Sequence, residues 1–99
     1  MKAGKLASGD FAVEKAIKGR KAKLVIIAND CAENTKKKIR NSCEYYNINM
    51  VEFGEKSMLG KFCGKEFRAS IAIMDKSFSA RIVNMISEMN TQTGVQTIG

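Results

Sequence analysis

The sequence predicts an α/β domain with helices on both sides of one sheet. Three observations carry this. Two short β-branched runs, Leu24-Val25-Ile26-Ile27-Ala28 and Ala69-Ser70-Ile71-Ala72-Ile73-Met74, have the near-continuous apolarity of strands covered on both faces. Segments with apolar residues three and four apart flank them, as amphipathic helices require. Strand-like and helix-like segments alternate along the chain, the signature of an α/β fold rather than of separate α and β halves.

The first helix is expected after Ser8-Gly9-Asp10, where Ser8 or Asp10 can cap the orphan amides. Val13, Ala16 and Ile17 form its apolar stripe, Glu14, Lys15 and Lys18 face the other way, and Gly19 ends it. Asn29-Asp30 stops the strand 24–28. Asn34 or Thr35 opens a second helix with Ile39, Cys43 and Tyr46 on one stripe, closed by Asn47 and Asn49. Met50 to Phe53 reads as a strand, and Ser57 to Cys63 as a short helix ending at Gly64. After the strand 69–74, Ser77 is the expected cap of a last helix with Phe78, Ile82, Met85, Ile86 and Met89 on its apolar stripe. One domain over residues 1–89 follows, with 90–99 a polar, frayed tail.

The composition narrows the function classes. Seventeen Lys and Arg against ten Asp and Glu give a net charge of +7, which attracts polyanions. Lys15, Lys18, Arg20, Lys21 and Lys23 form one basic cluster and Lys36-Lys37-Lys38 a second. The three lysines sit in the first turns of the second helix, where the helix dipole opposes them. A bound phosphate reverses that penalty, whereas on a solvated surface salt screens it. The chain has no apolar run of transmembrane length and no signal-peptide pattern at its start, so a cytoplasmic location without membrane contact is expected.

Chemistry is sparse. There is no histidine, so a general base of the usual kind is absent. Cys31, Cys43 and Cys63 have no metal-ligand spacing and are expected to be reduced, buried thiols, with no metal or cofactor. Asp10, Asp30 and Asp75 are far apart in sequence and read as caps or turn residues. Gly54…Gly60-Lys61 is one residue too long for a phosphate-binding loop, and Phe62 stands where Ser or Thr would hold magnesium. The one enzymatic possibility is a Cys31 thiolate activated at a helix N-terminus.

Gly9, Lys15, Ile17, the segment Lys21 to Cys31, Leu59-Gly60 and Cys63-Gly64-Lys65 resemble the kink-turn-binding ribosomal family that includes the proteins L-seven-Ae and L-thirty-e. Ser8-Gly9, Asn34-Thr35, Cys43-Glu44-Tyr45-Tyr46 and Arg68 add a likeness to its bacterial YlxQ-like branch. The resemblance spans about residues 3 to 88. It implies a three-layer α/β/α sandwich with a small mixed central sheet. It also implies binding of bent RNA by three loops: Ser8, Gly9, Asp10, Phe11 and Ala12 with Lys15; Asn29 and Asp30; and Phe67, Arg68, Ala69 and Ser70. From the charge reading, Lys18, Lys36 and Lys37 would add phosphate contacts. Where the family carries Asn or Lys and then Glu or Gln, this chain has Phe11 and Ala12, so side-chain groups that read guanine edges are missing there. Phe11 either stacks on an exposed base or folds inward as a core residue. A ribosome-associated or translation-related, monomeric RNA-binding protein is the expected function, with ribosomal proteins as further partners. The alternative is a protein-interaction adaptor in ribosome assembly, which an apolar patch of Phe11, Phe62 and Phe67 would favour.

Overall fold

Leu24, Val25, Ile26 and Ile27 are each at most 3 % exposed, as an uninterrupted apolar run demands. They form the central part of a four-stranded sheet in the computed structural model, which describes residues 6–93, with side chains described through residue 88. In chain order the elements are β1 (Leu6–Ser8), α1 (Asp10–Lys18), β2 (Leu24–Ile27), α2 (Glu33–Tyr46), β3 (Asn49–Glu52), α3 (Lys56–Phe62), β4 (Ser70–Ile73) and α4 (Lys76–Thr93).

The strand order is β1-β4-β2-β3. β2 runs parallel to β3, with Ile26 opposite Val51, and antiparallel to β4, with Ile26 opposite Ile71. β1 is antiparallel to β4 on its other side, with Ala7 opposite Ala72. The sheet is therefore mixed. Strand side chains alternate between faces. One face, with Ala7, Ala72, Val25 and Ile27, lies under α1 and α2; small alanines there let α1 approach closely. The other, with Ile26, Ile71 and Ile73, lies under α3 and α4. Val13 and Ile17 of α1 and Ile39 of α2 seal the first layer at 0 % exposure, and Ile82 and Ile86 of α4 seal the second. The expected α/β/α sandwich is the observed fold.

Several boundaries differ from the sequence reading. β1 was not anticipated, because three residues carry too little periodicity to be seen. Ser8 lies in this strand and Asp10 inside α1, so neither caps the helix; Gly9 occupies the cap position and no side chain bonds there. Likewise α2 begins at Glu33 after Ala32, ahead of Asn34 and Thr35. Ser77 falls inside α4, and the Asp75 carboxylate accepts the Phe78 N–H at 2.8 Å instead. A capping oxygen must precede the first helical residue, which Asp75 does and Ser77 does not. α4 continues through Thr93, beyond residue 90 where the tail was expected to begin; residues 94–99 lie outside the described residues. Met85 is 56 % exposed despite its place on the apolar stripe, and the Met89 side chain is outside the described set.

Candidate nucleic-acid interface

The sheet topology brings three sequence-distant loops to one edge. β1, β2 and β3 all end there, and β4 begins there. The Gly9 N–H donates to the Ser70 carbonyl at 3.1 Å, and the Ala28 N–H donates to the Ala69 carbonyl at 2.8 Å. Thus the loops after β1 and β2 flank the loop that leads into β4. A fourth loop joins them. The Asn29 N–H donates to the Gly54 carbonyl at 2.7 Å, and the Arg68 N–H donates to the Lys56 carbonyl at 3.0 Å.

Gly9 has φ 93 and ψ 153, a backbone conformation that only glycine adopts at low cost, and the space its missing Cβ would fill is open. Half-buried Ser8 accepts a hydrogen bond from Arg68 Nε at 3.2 Å, and Arg68 Nη1 donates to the Phe67 carbonyl at 2.7 Å. These two bonds fix the guanidinium across the β1 end. Ser70 is fully buried, and its hydroxyl donates to Asp10 Oδ1 at 3.3 Å. Its side chain therefore braces the loop rather than facing outward. Ala69 is half-buried, while Asn29 and Asp30 are exposed. Asp30 Oδ1 accepts the Lys56 N–H at 2.9 Å and so caps α3 from the β2 loop, a non-local version of the cap role its residue type suggested. Phe11 is 83 % exposed, which settles its direction: it faces solvent, not the core.

The lysine run of α2 divides by helical angle. Lys36 turns toward the sheet, where Nζ lies 2.9 Å from Glu52 and 3.7 Å from Glu33. The Glu52 hydrogen bond raises its pKa above the ordinary lysine value. Lys36 is thus engaged within the protein. Lys37 is exposed. Lys38 faces α1, and with Phe11, Lys15, Lys18, Asp10 and Glu14 lines an open depression of about 780 Å³. Among the described residues no ion pair engages Lys15, Lys18 or Lys38. Glu14 is 8 % exposed and accepts the Ser42 hydroxyl at 2.9 Å across the α1–α2 contact. Periodicity carried this signal: Lys38 is one turn before Ser42, so it shares the face that meets α1. Arg20 belongs to the other end of α1, its guanidinium 5.6 Å from the Tyr46 ring centroid. Among the described residues no cap side chain is bonded at the N-terminus of α1 or α2, and their first-turn amides can meet an anion.

The thiols are poor nucleophiles. Burial, with the carboxylates of Glu52, Asp10 and Asp30, pushes the Cys31 thiol above its ordinary pKa despite the opposing Lys36 charge. Burial and then Glu14 push Cys43 up to about 11. Burial also raises Cys63, against a hydrogen bond with Ser8 and the charges of Arg68 and Lys65. A Cys31 thiolate is therefore disfavoured at neutral pH. Among the described residues no cluster of three His, Cys, Asp or Glu is placed to hold a metal, and no helix is long and apolar enough to cross a membrane.

A second surface lies under the opposite helices. Phe53, Met58, Phe62, Ile82, Met85 and Ile86 line an apolar groove of about 380 Å³ between α3 and α4. Phe62 also stacks on Phe78, centroids 6.0 Å apart. Phe62 lines this groove and Phe11 and Phe67 do not; Phe11 borders the α1–α2 depression.

A small mixed sheet between two helix pairs, with loops gathered at one edge beside unpaired lysines, defines a class of compact α/β/α binding domains. The chain belongs to the ribosomal protein L7Ae/L30e/S12e/Gadd45 family, whose model matches residues 1–84. It is 33 % identical over 85 residues to the RNA-binding protein YlxQ of Bacillus subtilis, covering 86 % of this chain and 85 % of that one. It is 38 % identical over 71 residues to the large ribosomal subunit protein eL30 of Methanoregula boonei, covering 71 % and 70 % of the two chains. A solved structure of a Bacillus halodurans protein of unknown function superposes with a TM-score of 0.80, at 34 % identity and 86 % coverage of each chain.

Proposed function

We propose that this protein binds structured, sharply bent RNA of the kink-turn type at the loop edge, in a ribosome- or translation-related role. The observation that carries the reading is the convergence of Gly9, Asn29-Asp30 and Arg68-Ala69 beside Lys15, Lys18 and Lys38. Membership of the family supports it, as do relatives whose names describe an RNA-binding protein and a large-subunit ribosomal protein. Free first-turn amides of α1 and the open space at Gly9 accept close approach of a phosphate chain. The lysines supply salt-dependent affinity, and the rigid loops supply shape selection. Lys37, exposed and next in sequence to Lys38, is read as a further phosphate contact, whereas Lys36 is held by Glu52. The reading is of a monomeric RNA-binding protein, with ribosomal proteins as further partners.

The test is titration against a kink-turn duplex and a straight duplex of equal length at several salt concentrations. Tighter binding to the bent RNA, weakened in Lys15→Ala/Lys37→Ala with a shallower salt slope, is expected. Equal affinity for the two duplexes refutes shape selection, and an unchanged double variant refutes the proposed face. The α3–α4 groove favours a second reading, an adaptor in ribosome assembly that docks a protein through its apolar side. Partners retained after RNase treatment and lost in Met85→Lys distinguish it.

A further inference from the structure

We propose that the depression between α1 and α2 is a nucleotide subsite, in which the Phe11 ring stacks on an unpaired base and Lys15, Lys18 and Lys38 hold the adjoining phosphates. The inference rests on the RNA-binding reading and adds to it the kind of RNA: one with an unstacked nucleotide beside the bend.

Phe11 is the most exposed of the large apolar side chains, at 83 %. Phe67, 61 % exposed, stands on the loop before β4, and two other exposed rings have ring partners. Tyr45 meets Tyr46 edge-on at 4.9 Å, and Phe62 stacks on Phe78. Among the described residues Phe11 has no ring partner. It stands in the first turn of α1, two residues past Gly9, so it borders the loop edge where the polyanion is placed. A bare aromatic ring in water is stabilised by any flat apolar partner, and every nucleobase offers one.

The surroundings select a nucleotide over an apolar protein segment. Lys15, Lys18 and Lys38 line the depression with Asp10 and Glu14, leaving a net positive charge that an apolar helix or strand would not meet. A nucleotide brings its own anion on each side of the base. The two carboxylates in the wall are held against the protein, Glu14 by the Ser42 hydroxyl and Asp10 by the Ser70 hydroxyl, which fixes their place without neutralising them.

The experiment uses the full chain and a kink-turn RNA carrying 2-aminopurine in its bulge, with an abasic nucleotide at the same place as the comparison RNA. Wild type and Phe11→Trp are expected to change the 2-aminopurine fluorescence on binding. Phe11→Ala is expected to bind the base-containing RNA about 5- to 150-fold more weakly. On the abasic RNA, wild type and Phe11→Ala should bind alike. Lys38→Ala should lower the salt slope by a little under one unit. If Phe11→Ala equals wild type on both RNAs with the same fluorescence change, the subsite is refuted while RNA binding stands. If wild type binds neither RNA, the RNA reading fails and the subsite with it. Because Phe11 is exposed, circular dichroism of Phe11→Ala should match wild type.

Discussion

Gly60→Ala separates helix propensity from tertiary packing. Gly60 is buried within α3, and an ideal Cβ there lies 2.4 Å from the Glu66 carbonyl oxygen and 2.7 Å from the Phe67 nitrogen. Both atoms are backbone, so the following loop must retreat by at least about 0.6 Å to reach 3.0 Å, the closest approach real Cβ atoms make. The loop cannot swing freely. The Lys65 N–H donates to the Gly60 carbonyl at 2.7 Å, and the Arg68 N–H donates to the Lys56 carbonyl at 3.0 Å. Propensity alone predicts a gain of about 1 kcal/mol for alanine in a helix interior. Overpacking costs about 1–3 kcal/mol, and each loop hydrogen bond that lengthens forfeits up to about 1 kcal/mol more. Packing wins, with a net loss of about 1–3 kcal/mol, or a fall in Tm of roughly 5–20 °C for a domain of this size. Because the moved loop carries Arg68, the Arg68 Nε resonance should shift as its bond to Ser8 changes. Urea unfolding and NMR provide the measurements. A Tm equal to or above wild type would refute the argument that α3 is fitted against this loop.

Other consequences are equally direct. The raised thiol pKa of Cys43 makes its neutral form a property of the folded state, so its contribution is intact below pH about 8.5–9 and is lost as pH rises through about 11. Over that window wild type should lose up to about 3 kcal/mol more than Cys43→Ala; parallel stability curves above pH 9 would contradict it. Lys36→Met should leave the RNA salt slope unchanged, because Lys36 already serves Glu52, while Lys38→Ala should reduce it. Equal effects would place Lys36 on the interface. Asp30→Ala should cost about 1 kcal/mol in urea unfolding through loss of the α3 cap, and Asp30→Asn should recover most of it.

The strands β2 and β4 were legible because covered strands must be apolar on both faces, and 24–28 and 69–74 can be little else. The stripes of α1 and α2 were legible for the same reason: Val13, Ile17 and Ile39 repeat at the period that buries one side. Gly9 and Lys15 were marked by a helix-start signal and a basic cluster, and their role in binding RNA came through a family resemblance. Caps were less legible, since Ser8, Asp10, Asn34 and Ser77 have cap chemistry wherever they stand, and only the backbone path decides which precedes a helix. β1 was invisible because three residues owe their strand character to hydrogen bonds with β4 rather than to their own pattern.

The amino-acid order therefore determined the α/β class, the apolar core and the basic character, all properties of periodicity and charge that survive without knowing which segments touch. Tertiary structure decided the rest. It sent Lys36 to Glu52 and Lys38 to the face of α1, although both are lysines in one run. It turned Phe11 outward and Ser70 inward, and it made Asp30 the cap of a helix that begins 26 residues further along the chain. Pairing partners are set by how strands and helices meet across long sequence separations, where Coulomb and hydrogen-bond energies depend on distance in space.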